Sequence, residues 1–273
     1  MSLKNLIFFF WIFYFYSPTI FAYETFSTGA RYIGLAGTSA AIPDLWGVGH
    51  NQACFADQKY TTAAVFHERR YAVQELSTSA AILAVPVKSG VFGVQYSYFG
   101  YNVYHQSKMG LAFSRRINEK LSTGIMLDYY QSFLSTHGAT SYNLAAEFGL
   151  LASPISSVDI GVHVLNPFPQ QATQMVNTYI PSTLTFGMAW HQSKKFLLSG
   201  EFEKELHTSP VYKVAAEFSA TEKFLLRTGI LTNPVQWASG IGYSFGNFTI
   251  DLSFQTHPVL GITPAFSMNY IFK

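Results

Sequence analysis

From about residue 59 to its end, this chain alternates apolar and polar side chains in one short stretch after another. In Phe248-Thr249-Ile250-Asp251-Leu252-Ser253-Phe254-Gln255, the apolar side chains hold one register and the polar ones the other. A period of two marks a strand with one greasy face and one wet face. The same division sets Phe92, Val94, Tyr96 and Tyr98 against Gly93, Gln95 and Ser97. It recurs in Val158, Ile160, Val162 and Val164 against Asp159, Gly161 and His163. A soluble sandwich would alternate too, with its apolar set packed inward. Composition separates the two folds. Charged residues make up 12% of the chain, hydrophobic residues 49% and aromatics 17%. A soluble domain carries about 25% charged residues. Yet mean hydropathy is only +0.16, too low for a bundle of membrane helices. A barrel that meets lipid with every second residue of each strand accounts for both values.

The expected fold is therefore all-β: a transmembrane antiparallel β-barrel of about fourteen strands. The expected spans run from 59–69 and 76–88 to 248–257 and 261–272. Tight links at Lys88-Ser89, Ser153-Pro154, Ser193-Lys194 and Gly246-Asn247 alternate with longer ones, notably Asn166 to Pro181. Tight turns on one side and longer loops on the other is the outer-membrane pattern, the tight side being periplasmic. Lys4, the Phe-rich run Leu6 to Tyr16, and Thr19-Ile20-Phe21-Ala22 read as a signal peptide, residues 1–22, cleaved after Ala22. Residues 23–58 are rich in Gly and Ala and not strand-like, and are expected to form a hatch or plug with a short helix near Ala40. Residues 59–273 form the barrel. The localisation that follows is the bacterial outer membrane, with its lipid as one partner.

Several functions find no support. Net charge is +2 and Lys and Arg are scattered along the sequence, so nucleic-acid binding has no electrostatic footprint. The eight histidines show no His-x-x-x-His spacing and thiolate ligands are lacking, so neither a metal site nor a cofactor is expected. Cys54, the one cysteine, reads as buried rather than reactive. No Gly-x-Ser-x-Gly elbow or P-loop is present, and no catalytic residue is assigned. A barrel enzyme would need a serine beside His163 or His191. Among charges on polar faces, Glu201, Lys213, Glu217 and Arg227 should come close together on neighbouring strands. Buried charges must pair, which makes an ion-pair lattice in the lumen the expected arrangement.

Gly29-Ala30-Arg31 followed by Gly34-Leu35-Ala36-Gly37-Thr38 resembles the opening of the PorV/PorQ group of outer-membrane proteins, which are FadL-like barrels. Asp44-Leu45-Trp46 and Asn51-Gln52-Ala53-Cys54-Phe55 stand where that group carries an acidic-aromatic segment and an Asn-Pro-Ala-Gly-Leu-like sequence. Gln52 replaces the usual proline and Phe55 the usual leucine. The resemblance implies a fourteen-stranded barrel with an N-terminal hatch. It also implies a non-enzymatic role as an interaction subunit of a protein-export or surface-assembly complex, with other outer-membrane proteins as partners. The alternative is a FadL-like transporter of small hydrophobic molecules. In that case Ile33, Leu35, Leu45, Trp46 and Asn51 are the candidate ligand-binding or hatch residues.

Overall fold

The computed structural model describes residues 27–135, 138–168 and 180–273; the signal-peptide reading and most of the Asn166 to Pro181 loop fall outside them. Fourteen antiparallel strands among the described residues close into a barrel, each paired with its neighbours in sequence and β1 with β14. They are β1 (Thr62–Arg69), β2 (Ser77–Val87), β3 (Gly90–Gly100), β4 (Tyr104–Asn118), β5 (Leu121–Leu134), β6 (Ala139–Ile155) and β7 (Val158–Leu165). The second half is β8 (Thr183–Ser193), β9 (Phe196–Glu205), β10 (Val211–Ser219), β11 (Phe224–Leu231), β12 (Gln236–Phe245), β13 (Phe248–His257) and β14 (Gly261–Ile271). The alternating pattern therefore located the strands, most of them to within a few residues. One boundary differs for a physical reason. Strand β6 runs through Pro154 to Ile155 because the ladder to β7 breaks register between Ala152 and Ile155. A proline that cannot donate to the ladder is tolerated at such an irregularity.

The burial pattern is inverted relative to a soluble protein. Leu127 is 66% exposed and Leu144 64%, while Asp128 is 1% exposed and Glu147 2%. Outward rows such as Met109 and Leu111 on β4, or Leu252 and Phe254 on β13, form the exterior. Only a hydrocarbon surround stabilises such a surface. Closure also removes every sheet edge, as a spanning sheet requires.

A barrel of fourteen strands is too wide for its own inward side chains to fill, whereas about eight strands can be filled that way. Here residues 27–58 occupy the lumen. They form helix α1 (Ala30–Gly34) and two 3-10 turns, Leu45–Gly49 and Gln52–Phe55. The helix thus lies earlier than the expected one near Ala40. Gly29, at φ 93°, starts it. Residues around Ala40 instead form a turn, in which the Ile42 amide donates to the Ser39 carbonyl at 3.3 Å, pressed so close to the wall that a side chain at Gly161 would sit 1.8 Å from the Ala40 carbonyl oxygen. The two 3-10 turns are capped by Asp44 and Asn51, whose side chains accept from the Trp46 and Ala53 amides.

Inward glycines on seven of the strands receive this segment. Gly93 on β3 faces Val48 and Phe55, and Gly124 on β5 faces Gln52. Gly149 meets Asn51, Gly187 meets Ala40 and Ala41, Gly229 meets Ala36, and Gly240 meets Gly34. Each missing side chain lets the backbones approach as closely as a packed interior demands.

Candidate functional site

The five hatch candidates divide in two. Ile33, Leu35, Leu45 and Trp46 are 0–4% exposed and pack into the apolar cluster that joins the segment to Phe66, Ile82, Val91 and Met126 of the wall. Trp46 meets Phe66 edge-on at 5.9 Å between ring centroids. These four side chains anchor the segment and do not line open space. Asn51 does. It stands in the floor of a cavity of about 160 Å³, with Ser39, Gly49 and His50 beside it. The walls come from Lys108, Tyr130, Glu147, His163, Thr183, Thr185, Glu203 and Lys213. Most of these lie toward the long-loop ends of their strands, so the cavity sits on that side of the lodged segment.

Asn51 also ties the segment together. Its amide nitrogen donates to the Ala40 carbonyl at 2.5 Å and to the Leu150 carbonyl of β6 at 2.9 Å. Its side-chain oxygen accepts from the Ala53 amide at 3.1 Å.

Three groups of charges bind wall to segment. In the first, Glu201 accepts the Ser39 and Ala40 amides, each at 2.8 Å, and pairs with Lys213 at 2.8 Å. Lys213 also pairs with Glu203 at 2.7 Å. In the second, Arg31 donates twice to Glu217, at 2.9 and 2.7 Å, and once to Asp44 at 2.6 Å. Arg227 then joins Glu217 to Asp251, both at 2.6 Å. Burial works against the Arg31 charge, but the Glu217 and Asp44 carboxylates outweigh it and hold the guanidinium above its ordinary pKa. In the third, Lys108 meets Glu147 at 2.6 Å and Asp128 at 3.3 Å. Glu147 also contacts His163 at 2.9 Å and accepts from Gln52 at 2.5 Å. Glu201 and Lys213 thus fall in one group, Glu217 and Arg227 in another. What the sequence did not disclose is the segment's share: Arg31, Gln52 and the Ser39 and Ala40 amides complete the networks. An arginine in a Gly/Ala-rich stretch was the available signal, because a buried guanidinium demands carboxylates.

Among the described residues, neither His163 nor His191 is hydrogen-bonded to a serine. His191 is bonded to Asp159 at 2.9 Å and His163 to Glu147. Ser153 reaches Asp159, at 2.5 Å, and not the imidazole. Cys54 is buried, with its thiol toward the Ser39 and Ala40 carbonyls, and burial pushes its pKa up.

Barrel, polar lumen and lodged segment together define a transmembrane β-barrel with a filled lumen, the fold of bacterial outer-membrane proteins. Solved structures share it. The toluene transporter TbuX of Ralstonia pickettii superposes with a TM-score of 0.70 at 10% identity, over 92% of this chain and 100% of that one. A FadL homologue of Pseudomonas aeruginosa gives 0.68 at 11% identity, over 92% and 100%. The toluene transporter TodX of Pseudomonas putida gives 0.67 at 10%, over 90% and 97%. No protein-family model matches the sequence, and no curated protein matches it. At such identities the likeness is one of fold. Two of the three, TbuX and TodX, are toluene transporters.

Proposed function

We propose that this chain is an outer-membrane channel of the FadL type that passes small molecules with a hydrophobic body, and that the structure is its closed state. The observation that carries this reading is the cavity on the loop side of a lumen filled by residues 27–58. A solute arriving from outside meets Tyr130, Leu165, Thr183 and Thr185 before it meets the hatch floor at Asn51. Tyr130, Leu165 and the threonine methyl groups give the body of such a molecule apolar contact, while the charges of the same walls are taken up in pairs, Lys108 with Glu147 and Lys213 with Glu203. The transport of toluene by proteins of this fold supports the hydrophobic class. Passage then requires the segment to yield, and the three charge groups with the glycine seats hold it until it does.

The test is uptake of a radiolabelled monoaromatic hydrocarbon by outer-membrane-intact cells with and without the chain. Faster uptake with the chain is expected; equal rates refute the reading. A second reading, an interaction subunit of a protein-export or surface-assembly complex of the PorV/PorQ type, draws support from the same packed lumen. It predicts stoichiometric outer-membrane partners after gentle detergent extraction and no change in uptake.

A further inference from the structure

Lysines and arginines that are scattered in sequence gather at one end of the folded barrel. Lys88, Lys120, Lys194, Lys195 and Lys223 occupy the tight turns after β2, β4, β8 and β10. Arg115 and Arg116 end β4 beside them, and Lys59 and Lys273 flank the β1–β14 seam. All nine are exposed, against three exposed carboxylates at this end, Asp57, Glu119 and Glu222. Asp57 is bonded to Arg116 at 2.9 Å, and Asp159, also near this end, faces the lumen. The loop end is different. Its exposed Lys, Arg, Asp and Glu among the described residues are Arg69 and Glu75, and its connections carry strongly exposed apolar side chains, Phe168 at 79% and Val259 at 84%.

Two features say what meets this ring. First, the cations are spread around the rim, on five of its seven strand junctions, and not massed on one side as a docking patch would be. Second, they stand just beyond the interfacial aromatics. Phe245, Phe248, Tyr270 and Phe272 contact one another in series at 4.6–5.4 Å between centroids near Lys273. Phe92 and Phe113 pair at 4.9 Å near Lys88 and Arg115. Aromatic girdles mark headgroup level in membrane barrels. Long cationic side chains just past that level reach the phosphates.

We infer that this rim is a lipid-binding collar that selects anionic glycerophospholipids of the periplasmic leaflet, such as phosphatidylglycerol. The collar holds the barrel at a fixed height in that leaflet and enriches acidic lipid around it. It acts whatever passes through the lumen, so its test stands apart from the transport test.

The full chain is reconstituted in phosphatidylcholine bilayers containing spin-labelled phosphatidylglycerol or phosphatidylcholine, and the motionally restricted fraction is measured. The expected preference for phosphatidylglycerol is about threefold or more at low salt, falling toward unity near 1 M salt as screening sets in. The variant K120Q/K194Q/K195Q/K223Q should lose at least half of that preference, while R69Q at the opposite rim keeps it. If the fourfold variant fails to form a barrel, K194Q/K195Q alone should give a smaller loss in the same direction. Equal restriction of both lipids by the wild type, as expected of a rim that instead docks an acidic protein, overturns the inference. So does an undiminished preference in a folded variant.

Discussion

Substituting Gly161 by alanine tests the seating of the hatch most sharply. The new methyl carbon would lie 1.8 Å from the Ala40 carbonyl oxygen and 2.4 Å from its carbonyl carbon. Both are backbone atoms, so no side-chain rotation relieves the clash. The Ala40 segment must lift away from β7, loosening its amide bonds to Glu201 and the bond from Asn51 to the Ala40 carbonyl. Overpacking of this kind costs about 1–3 kcal/mol. That corresponds to an increase of about 5- to 150-fold in the unseated population. Cys54 reports on it directly, since its thiol packs against the Ser39 and Ala40 carbonyls. When opening is fast relative to labelling, the rate of maleimide reaction follows the open population. Gly161→Ala should raise that rate within this range while the barrel keeps its folded gel mobility. Gly200→Ala is the control, because the nearest atom to its added carbon is 3.9 Å away. Equal labelling of the two variants would refute the close seating.

Further expectations concern lipid, charge and the cysteine. Leu127→Arg, mid-strand on the lipid face, should cost about 2–4 kcal/mol of barrel stability in vesicle refolding, whereas Phe272→Arg at the rim should cost about 0–1; equal costs would contradict the membrane position. Arg31→Ala leaves Glu217 with Arg227 alone and should destabilise by about 3 kcal/mol in urea titrations. Arg31→Lys should recover only part of this, because an ammonium cannot reproduce the two-pronged contact. Cys54 should resist maleimide in the native wild type and react fully once denatured.

The barrel was legible because each of its strands must satisfy lipid on one side, and that demand writes a period of two into the sequence. The lumen segment was legible only as composition. Gly34 announces close packing, but its partner is Gly240, and the glycines that receive Ala40 and Ala41 are Gly161 and Gly187, all more than a hundred residues away. Glu201 and Lys213 could be paired from strand adjacency, since they face each other across β9 and β10. Arg31 could not be placed beside Glu217, because nothing local fixes where a non-strand segment lodges in a lumen. The basic rim was hidden for a similar reason. Single lysines in separate turns look dispersed until the hairpins bring their turns to one plane.

The claim that the hatch gates passage is tested most directly by fastening it. Thr38 of the segment and Ser199 of β9 share a hydrogen bond of 2.9 Å between their hydroxyl oxygens, which makes this pair the position to test for a cysteine bridge. In a T38C/S199C variant with Cys54 replaced by alanine, oxidation should stop hydrocarbon uptake and reduction should restore it. Unchanged uptake by the fully oxidised, cross-linked barrel would contradict the account.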